Sequence, residues 1–235
     1  MVKRELNRRS PLRALERSTR GGLGRGELGA IAARKGVGKT ACLVHIAMDQ
    51  LFQGKHVIHV SFSANPSHII DWYENIFTEI SKEHHLDAAM EVHDEVIKRR
   101  IIMSFNQQGT RLPQVIHSLQ SMIQEGNFLA DCIIVDGYDF TQVSAAQLRE
   151  IREFADARGL RIWFSVTLRE AQPSYDERGV PEILAGLLDE IAVLICLKPE
   201  GKQIRLELVK DRVGERVEDL RLALDPKTLL IAAQA

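Results

Sequence analysis

The chain has 235 residues, of which 45% are hydrophobic and 27% are charged, proportions that allow one globular domain with a sizeable core. Its formal net charge of −1 argues against a basic surface that would draw the whole chain to nucleic acid or to an anionic membrane. The longest apolar run, Ile191 to Leu197, has the length of a strand and is too short to span a membrane. We therefore expect no membrane partner.

Cysteine usage indicates a reducing compartment. Cys42, Cys132 and Cys196 stand singly, without C-x-x-C spacing or the even framework of a secreted domain. The first residues are rich in Arg and Lys, but no apolar segment follows them as it would in a secretory signal. These features predict a soluble cytoplasmic protein with buried thiols.

Residues 1–25 form a basic segment that we treat as an N-terminal arm, separate from the main domain over residues 26–235. Its apolar Leu6, Leu12 and Leu15 are too sparse to predict a core helix. It ends in the joint Gly21-Gly22-Leu23-Gly24. We expect a solvated arm with at most one short helix after Ser10-Pro11; the alternative is a docking arm for a neighbouring subunit or for nucleic acid.

A glycine-rich loop follows and carries the clearest functional pattern in the chain. Leu28 to Ala32 predicts a strand and Ala41 to Leu51 predicts a helix. Between them, residues 33–40 read ARKGVGKT, close to the phosphate-binding pattern G-x-x-x-x-G-K-[ST], with Ala33 in place of the first glycine. An ordinary glycine turn between strand and helix is the alternative; the strand-loop-helix context favours phosphate binding.

Each residue type in this loop has a physical role in holding a nucleotide. Glycines let backbone N–H groups crowd around phosphate oxygens, and the following helix N-terminus adds partial positive charge. Lys39 can reach the β- and γ-phosphates, where it would also be catalytic, and the Thr40 hydroxyl is placed to bind Mg²⁺. The residues predicted to contact ATP are Arg34, Lys35, Gly36, Val37, Gly38, Lys39, Thr40 and Ala41.

The middle of the chain alternates between predicted strands and helices. Strands are predicted over His56–Phe62 and Arg100–Phe105, and helices from Pro66-Ser67 onward, over the charged segment 81–100, and over Pro113–Glu125. The charged segment contains His84, His85, His93 and Asp94. These residues lack a ligand pair at firm spacing, so a solvated helix face is favoured over a metal site.

A continuous apolar strand over residues 130–136 closes on a carboxylate. Such a strand needs cover on both faces, as in a parallel sheet packed between helices. Asp136 stands at its carboxyl end, where a second Mg²⁺-directed group belongs in a phosphate-loop enzyme. An Asp that ends a strand is common, and its pairing with the loop is what favours the metal role.

The last third of the chain changes character. It begins with a predicted helix over Ser144–Arg158, a strand over Leu160–Val166, a long polar loop over Thr167–Pro181 and a short helix over Glu182–Leu188. Strands are then predicted over Glu190–Leu197, Lys202–Val209, Leu220–Leu224 and Leu229–Ala232. The sequence thus predicts an α/β fold: a mainly parallel central sheet with helices on both faces, followed by antiparallel hairpins.

The order of elements and several motifs resemble the RecA-type ATPase domain shared by the DnaB replicative helicases, the KaiC clock ATPases and RadA-like proteins. The region from Gly26-Glu27-Leu28 to Gly38-Lys39-Thr40 resembles the DnaB phosphate-loop region, where alanine also takes the first glycine's place. The segment Lys210-Asp211-Arg212-Val213-Gly214 resembles the family's K-x-R-x-G hairpin. The resemblance runs from about residue 22 to the C-terminus and implies a RecA-like P-loop fold.

The resemblance also implies a role for the hairpin. In that family its Lys and Arg point across a subunit interface at the γ-phosphate held by the neighbour, so Lys210 and Arg212 are expected to act in trans on ATP. A polar turn with exposed charges is the alternative that the residues alone would favour. A site shared in this way implies a homo-oligomer assembled head to tail, as a ring or a filament.

Two positions depart from the family pattern. No carboxylate occupies residues 61–66, where relatives carry a glutamate that orients the attacking water, although Asp71 or Glu74 could substitute. Thr167 replaces the glutamine sensor of the helicases. Three hypotheses remain open: a slow or regulated ATPase, a DnaB-like nucleic-acid motor, and a nucleotide-dependent assembly protein that does not hydrolyse. Nucleic-acid binding is not favoured, because the loops 106–110 and 167–181 contain few basic residues.

Overall fold

The structure is a computed structural model that describes residues 10–63, 65, 67–83, 89–170 and 172–233. The helices of this part of the chain are α1 (Leu12–Ser18), α2 (Lys39–Phe52), α3 (Ser67–Glu83), α4 (Ala89–Lys98), α5 (Leu112–Gln124) and α6 (Ala145–Arg158). The strands are β1 (Glu27–Arg34), β2 (Val57–Ser61), β3 (Arg100–Ser104), β4 (Cys132–Asp136), β5 (Arg161–Leu168), β6 (Val193–Glu200), β7 (Gln203–Asp211), β8 (Gly214–Leu224) and β9 (Ile231–Ala233).

These strands form one sheet in the order β3-β2-β4-β5-β1-β6-β7-β8-β9. The strands from β1 to β6 pair in parallel, and β7, β8 and β9 continue the sheet as antiparallel neighbours. The carboxyl ends of β1 to β6 therefore meet at one margin of the sheet, which we call the carboxyl edge. The turn between β7 and β8 lies at the opposite margin, the amino edge. The expected passage from a parallel α/β half to antiparallel hairpins is confirmed.

The two faces of the sheet are covered by different helices. One buried cluster joins the sheet to α2, α3 and α4, with Leu43, Tyr73 and Ile76 almost fully buried. The other joins it to α5 and α6 through residues such as Val115 and Leu148. Alternation along each strand explains this division, because successive side chains point to opposite faces. The α/β layering predicted from the sequence is therefore present.

The basic arm differs from its prediction. Residues 1–9, which include Leu6, lie outside the described residues, but Leu12 and Leu15 are each only 5% exposed. Together with Leu23 they join the buried cluster on the α2 face of the sheet. Two leucines three positions apart share one side of a helix, so even the seven-residue α1 can bury an apolar stripe against the body. Treating this part of the arm as solvated was wrong.

Other expectations have mixed outcomes. The predicted helix over Glu182–Leu188 is wrong: two 3-10 turns, Glu182–Leu184 and Leu188–Glu190, flank Gly186, and each turn buries a leucine. A glycine between two short segments disfavours a continuous helix. The three cysteines are buried and free, as expected, and burial raises the pKa of the Cys42 thiol to about 12. No helix among the described residues is both long enough and apolar enough to cross a membrane.

Candidate functional site

The glycine-rich loop joins β1 to α2 at the carboxyl edge of the sheet. Gly38 is the N-cap of α2 and has no side chain with which to cap the backbone N–H groups of the first helical turn. Gly36 and Gly38 have φ angles of 81° and 109°, which glycine adopts without strain. A Cβ at Gly38 would also lie 2.4 Å from Leu224 Cδ2. The loop therefore presents uncapped N–H donors and the positive end of a helix dipole at one place.

Lys39 lies inside this loop. Its Nζ donates hydrogen bonds to the carbonyl oxygens of Ala33 (3.0 Å) and Arg34 (2.9 Å), and the residue is only 8% exposed. Burial lowers the pKa of the Lys39 ammonium to about 8, and the nearby Asp136 carboxylate partly opposes that shift. The ammonium is therefore a poorly hydrated cation, which an incoming anion would stabilise strongly.

The two residues predicted to bind a metal are in direct contact. Thr40 Oγ1 donates a hydrogen bond of 2.8 Å to Asp136 Oδ2, although the residues are 96 positions apart in the sequence. Parallel pairing explains this proximity, because β4 ends beside the neighbouring strands at the carboxyl edge, with Asp136 opposite Ser61 of β2. The Phe62 N–H donates to the Asp136 carbonyl at 2.9 Å and holds the strand end in place.

The chemistry of these donors suits Mg²⁺. Within the described residues, no group of three or more His, Cys, Asp or Glu side chains could form a complete protein cage for a metal. Mg²⁺ does not need one, because it prefers hard oxygen ligands and is commonly held by one or two protein oxygens together with substrate phosphates. One hydroxyl and one carboxylate beside the glycine-rich loop match that requirement.

A cleft of about 920 Å³ opens above the loop and has two chemically different walls. The polar wall contains Asp136, Asp139 and Arg169 from the carboxyl edge. The apolar wall comes from β7, β8 and the turn after β8, and it includes Ile204, Leu224, Pro226 and Leu229. The polar wall thus lies beside the glycine-rich loop, and the apolar wall offers a surface for an uncharged part of a ligand.

Several residues of the cleft were missed by the sequence analysis. Arg169 Nη2 donates to Asp139 Oδ2 at 2.7 Å, and Glu170 Oε2 accepts from Ser174 Oγ at 3.4 Å. Thr167, which the sequence analysis had named, also lines the cleft. Position just beyond the carboxyl end of β5 was the available signal for Arg169 and Glu170, since ligands of open α/β sheets bind at that edge.

Neither proposed substitute for the catalytic glutamate reaches the cleft. In the part of the chain that the structure describes, the lining includes Trp72 but neither Asp71 nor Glu74. Glu74 Oε2 instead lies 2.5 Å from His93 Nε2 on α4, and this contact makes His93 part of a helix pair. His84 and His85 lie outside the described residues. The prediction of a substitute carboxylate on α3 therefore gains no support.

Lys210 and Arg212 lie at the amino edge, far from the loop of their own chain. Lys210 Nζ donates to the Leu188 carbonyl, and Arg212 forms an ion pair with Glu27 at the start of β1. β7 pairs antiparallel with β6, so the turn after Asp211 points away from the carboxyl edge. The structure brings Lys39, Thr40 and Asp136 together and leaves Lys210 and Arg212 apart from them.

No protein-family model matches this sequence, and no curated protein matches it significantly.

Proposed function

We propose that this chain is a RecA-like P-loop protein that binds ATP with Mg²⁺ and hydrolyses it slowly or under regulation, in a site completed by a second copy. The observation that carries this proposal is the 2.8 Å hydrogen bond between Thr40 of the loop and Asp136 at the carboxyl end of β4. A glycine turn that only connects a strand to a helix does not require a hydroxyl, a buried lysine and a strand-end carboxylate around the helix N-terminus, whereas a site for a nucleotide with Mg²⁺ does. The sheet order and the C-terminal hairpins are compatible with a RecA-like arrangement.

The cleft accounts for the phosphates and the base of a nucleotide and for its metal ion. Phosphates would accept hydrogen bonds from the uncapped N–H groups of the first turn of α2 and from Lys39. Mg²⁺ would be held near Thr40 and Asp136, where it would neutralise charge on the phosphate oxygens. The apolar wall around Leu224 and Pro226 would cover the base. A volume of about 920 Å³ is sufficient for a ligand of this size.

The position of the hairpin supports a site shared between copies. β7 has nine residues, so its ends are separated by roughly 30 Å at about 3.4 Å per residue. Lys210 and Arg212 at one end cannot reach phosphates held at the other edge of the same sheet. If they act on a phosphate, they must act on one bound by another copy, in a head-to-tail assembly.

A nucleotide-dependent assembly protein that does not hydrolyse ATP is the second candidate. It is favoured by the exclusion of Asp71 and Glu74 from the cleft lining. Correct placement of the attacking water is a large part of this chemistry, and no carboxylate lies at the expected strand end to provide it. Turnover measurements separate the two candidates, because both predict ATP binding and only the first predicts product formation.

The proposal is tested by Mg²⁺-dependent ATP turnover at several protein concentrations, with an Arg212→Ala variant. Turnover should rise more than proportionally with concentration, because assembly completes the site. Arg212→Ala should retain ATP affinity but lose at least roughly tenfold in turnover, since a cation at the transferring phosphoryl group is removed. Arg178→Ala, which alters an exposed arginine paired with Asp176, is the matched control and should behave as wild type.

A mixture of chains makes this test specific for action in trans. Lys39→Ala chains retain Arg212, and Arg212→Ala chains retain the loop, so mixed interfaces contain a complete site. Mixing the two inactive variants should restore part of the turnover. Normal turnover in Arg212→Ala alone, or no recovery on mixing, would contradict a shared site.

A further inference from the structure

Arg212 is held by groups of its own chain. Its Nε donates to Glu27 Oε1 at 2.5 Å, and its Nη2 donates to Glu27 Oε2 at 2.8 Å and to the Gly22 carbonyl at 2.7 Å. Its Nη1 lies 3.4 Å from the Arg20 carbonyl. All three guanidinium nitrogens are thus engaged, and the contact with Glu27 is bidentate.

The partners of Arg212 belong to the joint between α1 and β1. The Gly24 N–H donates to Glu27 Oε2 at 2.5 Å, so Glu27 binds the joint and Arg212 at the same time. Arg161 Nε donates to the Leu23 carbonyl at 2.8 Å, and the Leu23 side chain is only 5% exposed. The joint is therefore attached to the body through Arg161 and through Glu27. Glu27 also connects the joint to Arg212 in the turn between β7 and β8.

This arrangement uses the donors that a phosphate would need. Arginine recognises carboxylate and phosphate through the same planar fork of N–H groups. Here Glu27 occupies the Nε–Nη2 edge, and the Arg20 and Gly22 carbonyls accept from Nη1 and Nη2, so neither edge of the guanidinium is left for bidentate contact with a phosphate. The pair is also partly open to solvent: the side chains of Arg212 and Glu27 are 33% and 26% exposed. Solvent-exposed ion pairs are weak enough to be exchanged. A phosphate of a neighbouring copy can therefore compete for Arg212.

We infer that Glu27 and the joint at residues 20–24 hold Arg212 in a parked position, and that this contact must open before Arg212 can engage nucleotide bound by another copy. The inference rests on the proposed function and adds a restraint to it. Glu27 is then a positioning residue that limits turnover, and the arm is released when Arg212 engages the nucleotide of the other copy. The same opening would link ATP-dependent assembly to exposure of the N-terminal segment.

Two variants weaken the parked contact without removing Arg212. Glu27→Gln keeps the side-chain shape but removes the charge. Gly24→Ala acts differently: its Cβ would lie 2.8 Å from Arg212 Nη2 and 2.8 Å from Glu27 Oε2. Gly24 does not have a positive φ, so alanine crowds these flexible side-chain ends without backbone strain. Glu200→Gln is the matched control, because Glu200 is paired with Arg205 and does not contact Arg212.

The experiment measures ATP turnover and the rate of tryptic cleavage after Arg20 and Arg25. Both variants should raise turnover several-fold at limiting protein concentration and should speed cleavage in the joint, whereas Glu200→Gln should change neither. In the wild-type chain, ATP with Mg²⁺ should itself speed this cleavage, and Lys39→Ala should not respond.

The outcomes separate the inference from the function on which it rests. If both variants are cleaved faster but their turnover is unchanged, Glu27 does not restrain turnover. If both variants match the wild-type chain in turnover and in cleavage, the contact between Glu27 and Arg212 does not hold the joint. Failure of the wild-type chain to bind ATP would instead refute the proposed function. The effect of Glu27→Gln on cleavage without nucleotide would then still decide whether Glu27 holds the joint.

Discussion

Replacement of Lys39 by alanine should abolish ATP binding under conditions in which the wild-type chain is saturated. The ammonium would make charge-assisted contacts with two phosphates, each worth about 1.5–3 kcal/mol, so their loss corresponds to a decrease in affinity on the order of 100-fold or more. The ammonium is already poorly hydrated and donates to the carbonyls of Ala33 and Arg34, so little solvation is lost when phosphate binds. Equilibrium binding of a fluorescent ATP analogue measures the effect.

Two comparisons separate charge from packing in this experiment. Lys39→Met keeps most of the buried stem and removes the charge, so it should bind ATP as poorly as Lys39→Ala. Lys82→Ala removes an exposed lysine on α3 that pairs with Glu79, and it should bind normally. Tight ATP binding by Lys39→Met would show that the loop does not hold phosphate through this residue.

The lowered pKa of Lys39 gives the binding reaction a pH dependence of known sign. With a pKa of about 8, the free chain loses the Lys39 proton as the pH rises past that value, whereas phosphate binding requires the ammonium. ATP affinity should therefore fall above pH 8 in the wild-type chain. The free energy of unfolding of the nucleotide-free chain should move in the opposite direction between pH 8 and about 10.4, because the unfolded state there binds more protons at this lysine.

Local patterns were sufficient to predict the centre of the site. The glycines of the loop, Lys39 and Thr40 occupy one short segment between a strand and a helix, and that context fixes their geometry. Asp136 could be predicted despite its distance in sequence because the parallel strands bring their carboxyl ends to one edge. The contact between Thr40 and Asp136 can therefore be predicted from the strand-loop-helix pattern and from the shared edge of parallel strand ends, before the complete fold is known.

The walls of the cleft and the contact between Arg212 and Glu27 could not be predicted in this way. Leu224 approaches Gly38 only because β8 joins the sheet beyond β7, with irregular register between these two strands. Glu27 and Arg212 are 185 positions apart, and neither lies in a pattern that indicates a pair. Leu12 and Leu15 resemble isolated apolar residues in a basic segment until the body provides a surface for them. Long-range packing decides each of these features, and residue spacing does not encode it.

Replacement of Asp136 by asparagine should remove most of the Mg²⁺ dependence of ATP binding while leaving the loop intact. The asparagine oxygen can still accept the hydrogen bond from Thr40, so the local structure and the affinity for metal-free ATP should change little. Loss of the negative charge should weaken the advantage that Mg²⁺ gives to ATP binding by roughly 10- to 100-fold. The measurement is ATP affinity with Mg²⁺ and with chelator, and Asp94→Asn, whose side chain is 80% exposed on α4, is the control.

The same variant makes a second prediction through Lys39, because the Asp136 carboxylate partly opposes the lowering of the Lys39 pKa by burial. In Asp136→Asn this opposition is lost, so the pKa of Lys39 should fall below that of the wild-type chain. The decline of ATP affinity should consequently begin at a lower pH, even when no metal is present. A pH profile that matches wild type, together with unaltered Mg²⁺ dependence, would remove Asp136 from the nucleotide site. A shift in the profile alone would place its charge beside Lys39 without a role at the metal.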